Sequence, residues 1–366
     1  MQILSLWIQL GITTAIILYA SNFLAKSADN IADKTGLGRS IIGVVLLATA
    51  TSLPELGTGA SSIVLFNEID LAAGDVYGSC VFNLLIIAIL DLIYRNKPIL
   101  SSVGNTPIIV AGLSIVLIST SIFGILYMEY FDEISLLIFN RLDPISIVLL
   151  VLFVISMFII YKIEKNNHES EDAINTSDTL KKSGIIFFIS ATIIIICAVW
   201  LANVGKNIAI IMEWETSFVG TQFLAFSTSL PELAASIAAL RINAPELAIT
   251  NVLGSNLFNI GVVLFADDLV AKNVHLLNEV SNVHLISAIA SIIMTIIVLF
   301  ACKKQFSQKI YGDITALMII TIYITSSISI FQEAFQLLYL GLGLIIAIII
   351  TLVLRTYFNF TNSQLN

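Results

Sequence analysis

Residues 43–56 read GVVLLATATSLPEL, and residues 220–233 read GTQFLAFSTSLPEL. The hexapeptide TSLPEL is identical, and a glycine stands twelve residues before the glutamate in each copy. Downstream, GDVYGSCVFNLL (74–85) is matched by TNVLGSNLFNIG (250–261), so G-S-x-x-F-N is also kept. Two separated matches in the same order are an internal repeat. The glutamates Glu55 and Glu232 lie 177 residues apart, and five apolar runs fit into that offset. Five is odd, so the copies enter a membrane from opposite sides. Inverted repeats of this kind place a substrate site at their interface, near the midplane, on interrupted helices.

Composition supports the membrane setting. The chain has 366 residues, 58% hydrophobic and 11% charged. An ordinary soluble domain carries about 25% charged residues. Apolar runs of about 20 residues, the length a bilayer demands, recur from end to end. Spans are predicted at 3–22, 39–66, 71–94, 105–126, 144–162, 183–203, 217–241, 245–266, 283–302, 311–330 and 333–354, eleven in all, or ten if the last two are one. The runs are too long and too uniform for strands. The expected fold is all-α: two inverted-topology repeats of five transmembrane helices plus an extra C-terminal helix. Residues 1–162 form the first repeat (motif 43–85) and 183–332 the second (motif 220–261). A cytoplasmic polar linker, 163–182, joins them, and 333–366 are the added helix and tail. The first apolar run lacks a basic leader and reads as a retained span rather than a signal peptide.

All 17 Lys and Arg residues except Arg141, Lys206 and Lys272 fall on one side of this arrangement. The basic-rich side is expected to be cytoplasmic. The N-terminus then faces out and the C-terminus in, with the chain multi-pass in the cell membrane. The net charge of −8, without a basic, aromatic-rich stretch, argues against a nucleic-acid partner. Cys80, Cys197 and Cys302 lie in or at the end of apolar runs and read as small hydrophobes.

Pro54 and Pro231 fall in mid-span. A proline removes a helix donor and disturbs the carbonyl four residues back. Carbonyls around Ala48, Thr51, Ala225 and Thr228 are expected to be freed, which is tolerated at membrane depth only beside protein or a watery cavity. Glu55 and Glu232 follow the prolines directly, and an intramembrane charge is a functional candidate by default. Two such carboxylates repel unless a cation or protons relieve them. Carboxylates with carbonyls and hydroxyls suit Ca²⁺, which takes six to eight oxygens. The repeats hold no Cys/His cluster for a softer metal. Asp75, Ser79 and Asn83 form one helical stripe, and Ser255 and Asn259 repeat its last two members. Gly78 and Gly254 are expected to allow close helix approach. Asp91 and Glu246, near span ends, are expected to be solvated. His168, His275 and His284 lie in or beside loops, and the repeats show no Ser–His or metal–His arrangement, so an intramembrane enzyme is disfavoured. Symmetric acids in two inverted halves also fit alternating access better than a passive channel.

At these residues the chain resembles the sodium/calcium exchanger family of the cation/calcium antiporter superfamily, over essentially its whole length. The resemblance implies exchange of Ca²⁺ for Na⁺ across the membrane, with no cofactor and with inorganic cations and lipid as the only partners. It implies that Glu55 and Glu232, with the backbone carbonyls of Thr51 and Thr228, hold Ca²⁺. The carbonyls of Ala48 and Ala225, with Ser52, Ser79, Ser229 and Ser255, would line flanking Na⁺ sites. Asn83 and Asn259 would border the centre, and the helices at 3–22 and 183–203 would slide as gates. The chain departs from the family pattern in three places. Many sodium-coupled members carry Asp where this chain has Asn259. Asp75 replaces the usual Asn. The glycine usual before T-S is Ala50 in one copy and Ser227 in the other. These departures keep Ca²⁺/H⁺ exchange open as the alternative.

Overall fold

A computed structural model describes residues 2–35, 49–94, 98–130, 142–167, 179–271, 275–302, 309–336 and 338–343. Ten helices account for the predicted spans among these residues. They are α1 (Gln2–Thr35), α2 (Leu53–Phe66), α3 (Ile69–Ile93), α4 (Asn105–Tyr130), α5 (Pro144–Asn167), α6 (Leu180–Met212), α7 (Thr216–Arg241), α8 (Pro245–Val270), α9 (His284–Ala301) and α10 (Lys309–Phe331). Nine are long and apolar enough to cross a bilayer by themselves. The tenth, α2, is described only from residue 49, because the first part of the predicted 39–66 span lies outside the described residues. Most of the predicted 333–354 span and most of the 163–182 linker lie outside them as well.

The packing repeats the symmetry of the sequence. α1 packs along α6; α2 lies on α6 as α7 lies on α1. α3 meets α9 and α10 in the same way that α8 meets α4 and α5. At the centre α3 and α8 pack against each other and are buried along most of their length. The periphery is apolar outward: Tyr19 is 69% exposed and Phe188 73%. Aromatic side chains so exposed belong against lipid, where burial in protein is not what removes them from water.

α1 and α6 run to 34 and 33 residues, well past the expected 3–22 and 183–203. At 1.5 Å per residue each is about 50 Å long, more than the roughly 30 Å of hydrocarbon, so they tilt or project. In α1 the expectation stopped short of the polar end after Phe23, and in α6 it stopped at the interruption around Lys206 and Asn207, although the apolar run resumes at Ile208–Met212. The corner between α2 and α3 is tight: Asn67 closes α2 in the left-handed conformation (φ 54°), which asparagine tolerates better than most residues. Lys206 of α6 is clamped onto this corner, with Nζ 3.0 Å from Glu68 Oε1 and 2.9 Å from the Phe66 carbonyl.

The helix breaks differ from the expected proline kinks. Pro54 and Pro231 are the second residues of new helical segments, a place where a missing N–H costs nothing. The break itself sits at Ser52 (φ −92°, ψ 11°) and Ser229 (φ −90°, ψ 2°). Two wider π-helical segments, Gly220–Leu224 in α7 and Asn259–Val263 in α8, were not foreseen. Asp91 is not solvated: it is 7% exposed and accepts the Ile99 amide, closing the end of α3. Glu246 is half-buried and accepts the Gly104 amide at 3.2 Å. His284, expected in or beside a loop, is the fully buried first residue of α9 and meets Asp70 at 3.1 Å. Cys80, Cys197 and Cys302 are buried free thiols.

Gly78 permits the expected close approach, because a Cβ there would stand 2.6 Å from the Thr221 Cα and carbonyl oxygen. Gly254, its counterpart by repeat, has open space around the same position, with nothing within 4 Å. Gly78→Ala should therefore lower stability by about 1–3 kcal/mol through overpacking. Gly254→Ala should be neutral or gain up to about 1 kcal/mol of helix propensity. Thermal unfolding of the two purified variants in detergent checks this; equal effects would contradict it.

Candidate cation site

The two breaks bring the repeats into contact at their glutamates. The residue that ends one helical segment is a serine, and its hydroxyl reaches the acid of the other repeat. Ser52 Oγ donates to Glu232 Oε1 at 3.2 Å, and Ser229 Oγ donates to Glu55 Oε1 at 3.3 Å. Both glutamates and both serines are fully buried. Ser255 Oγ also donates to Glu232 Oε1, at 3.2 Å. Ser79 and Thr228 face Glu55 in the corresponding way, and Thr51 faces Glu232. The hydroxyls meet across the repeats too, Ser79 with Thr228 at 3.4 Å and Thr51 with Ser255 at 3.5 Å.

Each acid keeps one oxygen without a hydrogen-bond partner among the described residues: Glu55 Oε2, Glu232 Oε2 and Asp75 Oδ2. Asn83 Oδ1 and both polar atoms of the Asn259 side chain are also unpartnered, and both residues are fully buried. Buried polar atoms are nearly always satisfied in folded proteins. A cluster of unpaired oxygens on four packed helices can accept charge from a hard cation or from protons. Among the described residues no three His, Cys, Asp or Glu side chains group as a metal centre. The ring around the acids is made of hydroxyls and amides, the oxygen chemistry of alkali and alkaline-earth ions rather than of zinc or copper.

The symmetry fails at two places. Asp75 accepts from Thr228 Oγ1 at 2.8 Å and feels the charge of Glu55. Its counterpart is Asn251, which turns away and donates to the Glu232 carbonyl at 3.4 Å and to Ser236 Oγ at 3.2 Å. Asn256 stands where the first repeat has Cys80. It donates to the Cys80 carbonyl at 3.1 Å and accepts from Asn83 Nδ2 at 2.9 Å, stitching α3 to α8. Asn251 and Asn256 were missed in the sequence. The repeat alignment contained them, but each lacks a like partner, which was the signal followed.

The predicted carbonyls fare unevenly. Ala48 lies outside the described residues. The Ala225 carbonyl is not free: it accepts the Ser229 amide at 3.1 Å, because the helix breaks after it rather than before it. Thr228 Oγ1 also donates to it, at 3.4 Å. Thr51, Thr228, Ser52, Ser229, Ser79, Ser255 and Asp75 are buried and interact with Glu55 or Glu232; Asn83 and Asn259 are buried but make no hydrogen bond to either acid among the described residues. Ser227, where the pattern usually has glycine, has a contact of its own: Thr14 Oγ1 of α1 donates to its hydroxyl at 2.9 Å.

Comparison with known proteins gives this arrangement a family. The sequence model described as "Sodium/calcium exchanger protein" matches residues 5–162 and 182–332. The membrane protein MJ0091 of Methanocaldococcus jannaschii is 27% identical over 254 residues, covering 68% of this chain and 76% of that protein. The sodium/calcium exchanger MaX1 of Methanosarcina acetivorans is 25% identical over 271 residues, covering 67% of this chain and 77% of that one. A solved structure of the sodium-calcium exchanger NCX_Mj, soaked with Na⁺ and Sr²⁺, superposes with a TM-score of 0.57 at 22% identity, over 90% of this chain and 98% of that one. The fold is shared with that exchanger, and the family match spans both repeats and ends on either side of the polar linker. The chain belongs to the sodium/calcium exchanger family.

Proposed function

We propose that the protein is a secondary active antiporter that exchanges Ca²⁺ for Na⁺ by alternating access. The observation that carries this is the reciprocal pair: two fully buried glutamates, each held on one oxygen by the serine of the opposite repeat and unpartnered on the other. In this proposal Ca²⁺ lies between Glu55 and Glu232 and takes carbonyl oxygens from Thr51 and Thr228. Ser52, Ser229, Ser79 and Ser255, with the carbonyls of Ala48 and Ala225, line the flanking Na⁺ sites. Asn83, Asn259 and Asp75 border the centre. Two carboxylates facing one another favour a divalent ion over an unoccupied site by simple charge balance.

The gate is α1 with α6. These long helices pack mainly on one another and touch the centre through few polar contacts, of which Thr14 to Ser227 is one. Sliding them along α2 and α7 opens one side of the broken helices at a time, while α3 and α8 stay packed. The protein is placed in the cell membrane with its N-terminus outside and its C-terminus in the cytoplasm. Residues 1–162 and 183–332 act as the two halves, joined by a cytoplasmic linker at 163–182, and 333–366 add a helix outside the symmetry.

The second reading is Ca²⁺/H⁺ exchange. It is favoured by Asn259, an amide where many sodium-coupled relatives carry a carboxylate, which leaves Asp75 as the one further acid in contact with the centre among the described residues. Sealed liposomes loaded with Na⁺ and diluted into Na⁺-free buffer, with the membrane potential clamped, should take up radioactive Ca²⁺. A matched set carrying only an outward H⁺ gradient should not. Uptake in the H⁺ set alone would replace the Na⁺ assignment with the second reading.

Glu55→Gln and Glu232→Gln should each lower uptake at least about 100-fold, because a buried charge partner is worth several kcal/mol when lost. Both variants keep the hydrogen bond from serine and should fold. Ca²⁺ should raise the unfolding temperature of the wild type but of neither variant. Retained exchange in both variants would overturn the site.

A further inference from the structure

Four buried acids among the described residues, Asp91, Asp143, Asp267 and Asp268, take no part in the contacts around Glu55 and Glu232. Asp267, in the last turns of α8, is 1% exposed, and neither carboxyl oxygen has a hydrogen-bond partner among the described residues. An ionised carboxylate left in that state costs several kcal/mol. It needs either a proton or a cation.

Its position is set by two helices. A Cβ at Gly59 would stand 2.6 Å from both Asp267 oxygens, so the carboxyl lies against the backbone of α2. Gly59 is four residues beyond Glu55, hence on the same face and about 6 Å farther toward the Asn67 end. On α8, Asp267 is eight residues after Asn259. In an unbroken α-helix that spacing turns the two about 80° apart. The π segment at Asn259–Val263 absorbs about one residue and reduces the angle to roughly 20°. The bulge thus swings Asp267 onto the face that carries Asn259. Asp267 also acts on the charge of Asp75 from across the α3 contact.

A line of groups leads from there to the surface. Asp268, fully buried, sits beside Asp267 and accepts the Asp143 amide at 2.9 Å. The Asp143 carboxyl, also buried, holds His275 Nδ1, and the His275 side chain is 18% exposed. The titratable groups linked to Asp267 are Asp75 from α3 and Asp268 on its own helix, with Asp143 at the start of α5 and then His275 beyond Asp268, and Glu55 one turn from Gly59 on α2. All but His275 are acids. A hard cation needs about six oxygens. Asp267 lies against Gly59 and, among the described residues, has no hydroxyl or amide bonded to it, so its carboxyl suits a single proton.

We propose that Asp267 is a proton station between the cation site and the non-cytoplasmic face, filled and emptied through Asp268, Asp143 and His275. The transfer is acid to carboxylate: the O–H bond of one carboxyl breaks as the neighbouring carboxylate takes the proton, directly or through water, and the total charge of the pair is unchanged. A proton on Asp267 removes one negative charge from the neighbourhood of Asp75 and Glu55, so acid on that face weakens cation binding and favours release there. By linkage, a bound cation expels the proton. This rests on the cation-exchange proposal and on the orientation given with it.

The test uses the full chain in membrane vesicles of one orientation, with Na⁺/Ca²⁺ exchange followed while pH is varied on one side at a time. Wild-type exchange should respond to pH on the non-cytoplasmic side. Asp267→Asn, which mimics the protonated acid, should lose that response and stay at the rate the wild type shows at its acid limit. A wild-type response in this variant overturns the proposal. So does a rate lowered by one factor at every pH, which marks a structural acid. His275→Gln, at the partly exposed end, should slow the response and be rescued by small permeant buffers; an unaltered response overturns the route. A carboxylic-acid infrared band present in wild type and missing in Asp267→Asn reads the proton without transport. If the band is present and no gradient drives exchange, the antiport proposal fails and the proton station stands.

Discussion

Two carboxylates buried at the middle of a membrane bundle set the terms for the rest of this protein. Glu55 and Glu232 are fully buried and feel one another's charge. Apolar packing alone cannot hold them, since each would forfeit its hydration for nothing. The chain answers by breaking a helix three residues before each acid and letting the serine at each break donate to the acid of the other half. Neither half can satisfy its own glutamate by this device. These reciprocal contacts therefore exist only when the halves are packed together.

That reciprocity explains the arrangement of the helices. α3 and α8, rich in small residues, are the buried pair that brings the breaks together, and their hydroxyls and amides complete the ring. α1 and α6 lie outside this ring and pack chiefly on each other. In the proposed exchange this pair moves while α3 and α8 stay packed.

The departures from symmetry are as informative as the symmetry. Asp75 adds an acid to one side of the centre, and its counterpart Asn251 is spent on backbone and Ser236 contacts. Asn256 locks α3 to α8 through Asn83 and the Cys80 carbonyl. Gly78 is in tight contact while Gly254 is not. An exchanger with two identical halves would face both sides alike. These substitutions make the two faces different, and the buried acids toward His275 lie on one face only.

Much of this was legible in the sequence, because helix depth and repeat order are local properties. Apolar runs determined the helices, the odd number of spans between the TSLPEL copies determined that the halves are inverted, and two acids in the middle of spans marked the candidate site. Residues whose roles depend on what faces them were not legible. Whether proline kinks a helix or starts a new one depends on where the chain breaks, and the break fell at Ser52 and Ser229. Asp91 looked solvated near a span end, and only the fold placed the Ile99 amide over it. The π segment that turns Asp267 toward the centre leaves no local mark. Hydropathy and spacing act along one helix. Which hydroxyl meets which carboxylate is decided by packing between segments some 180 residues apart, as in the contact of Ser52 with Glu232.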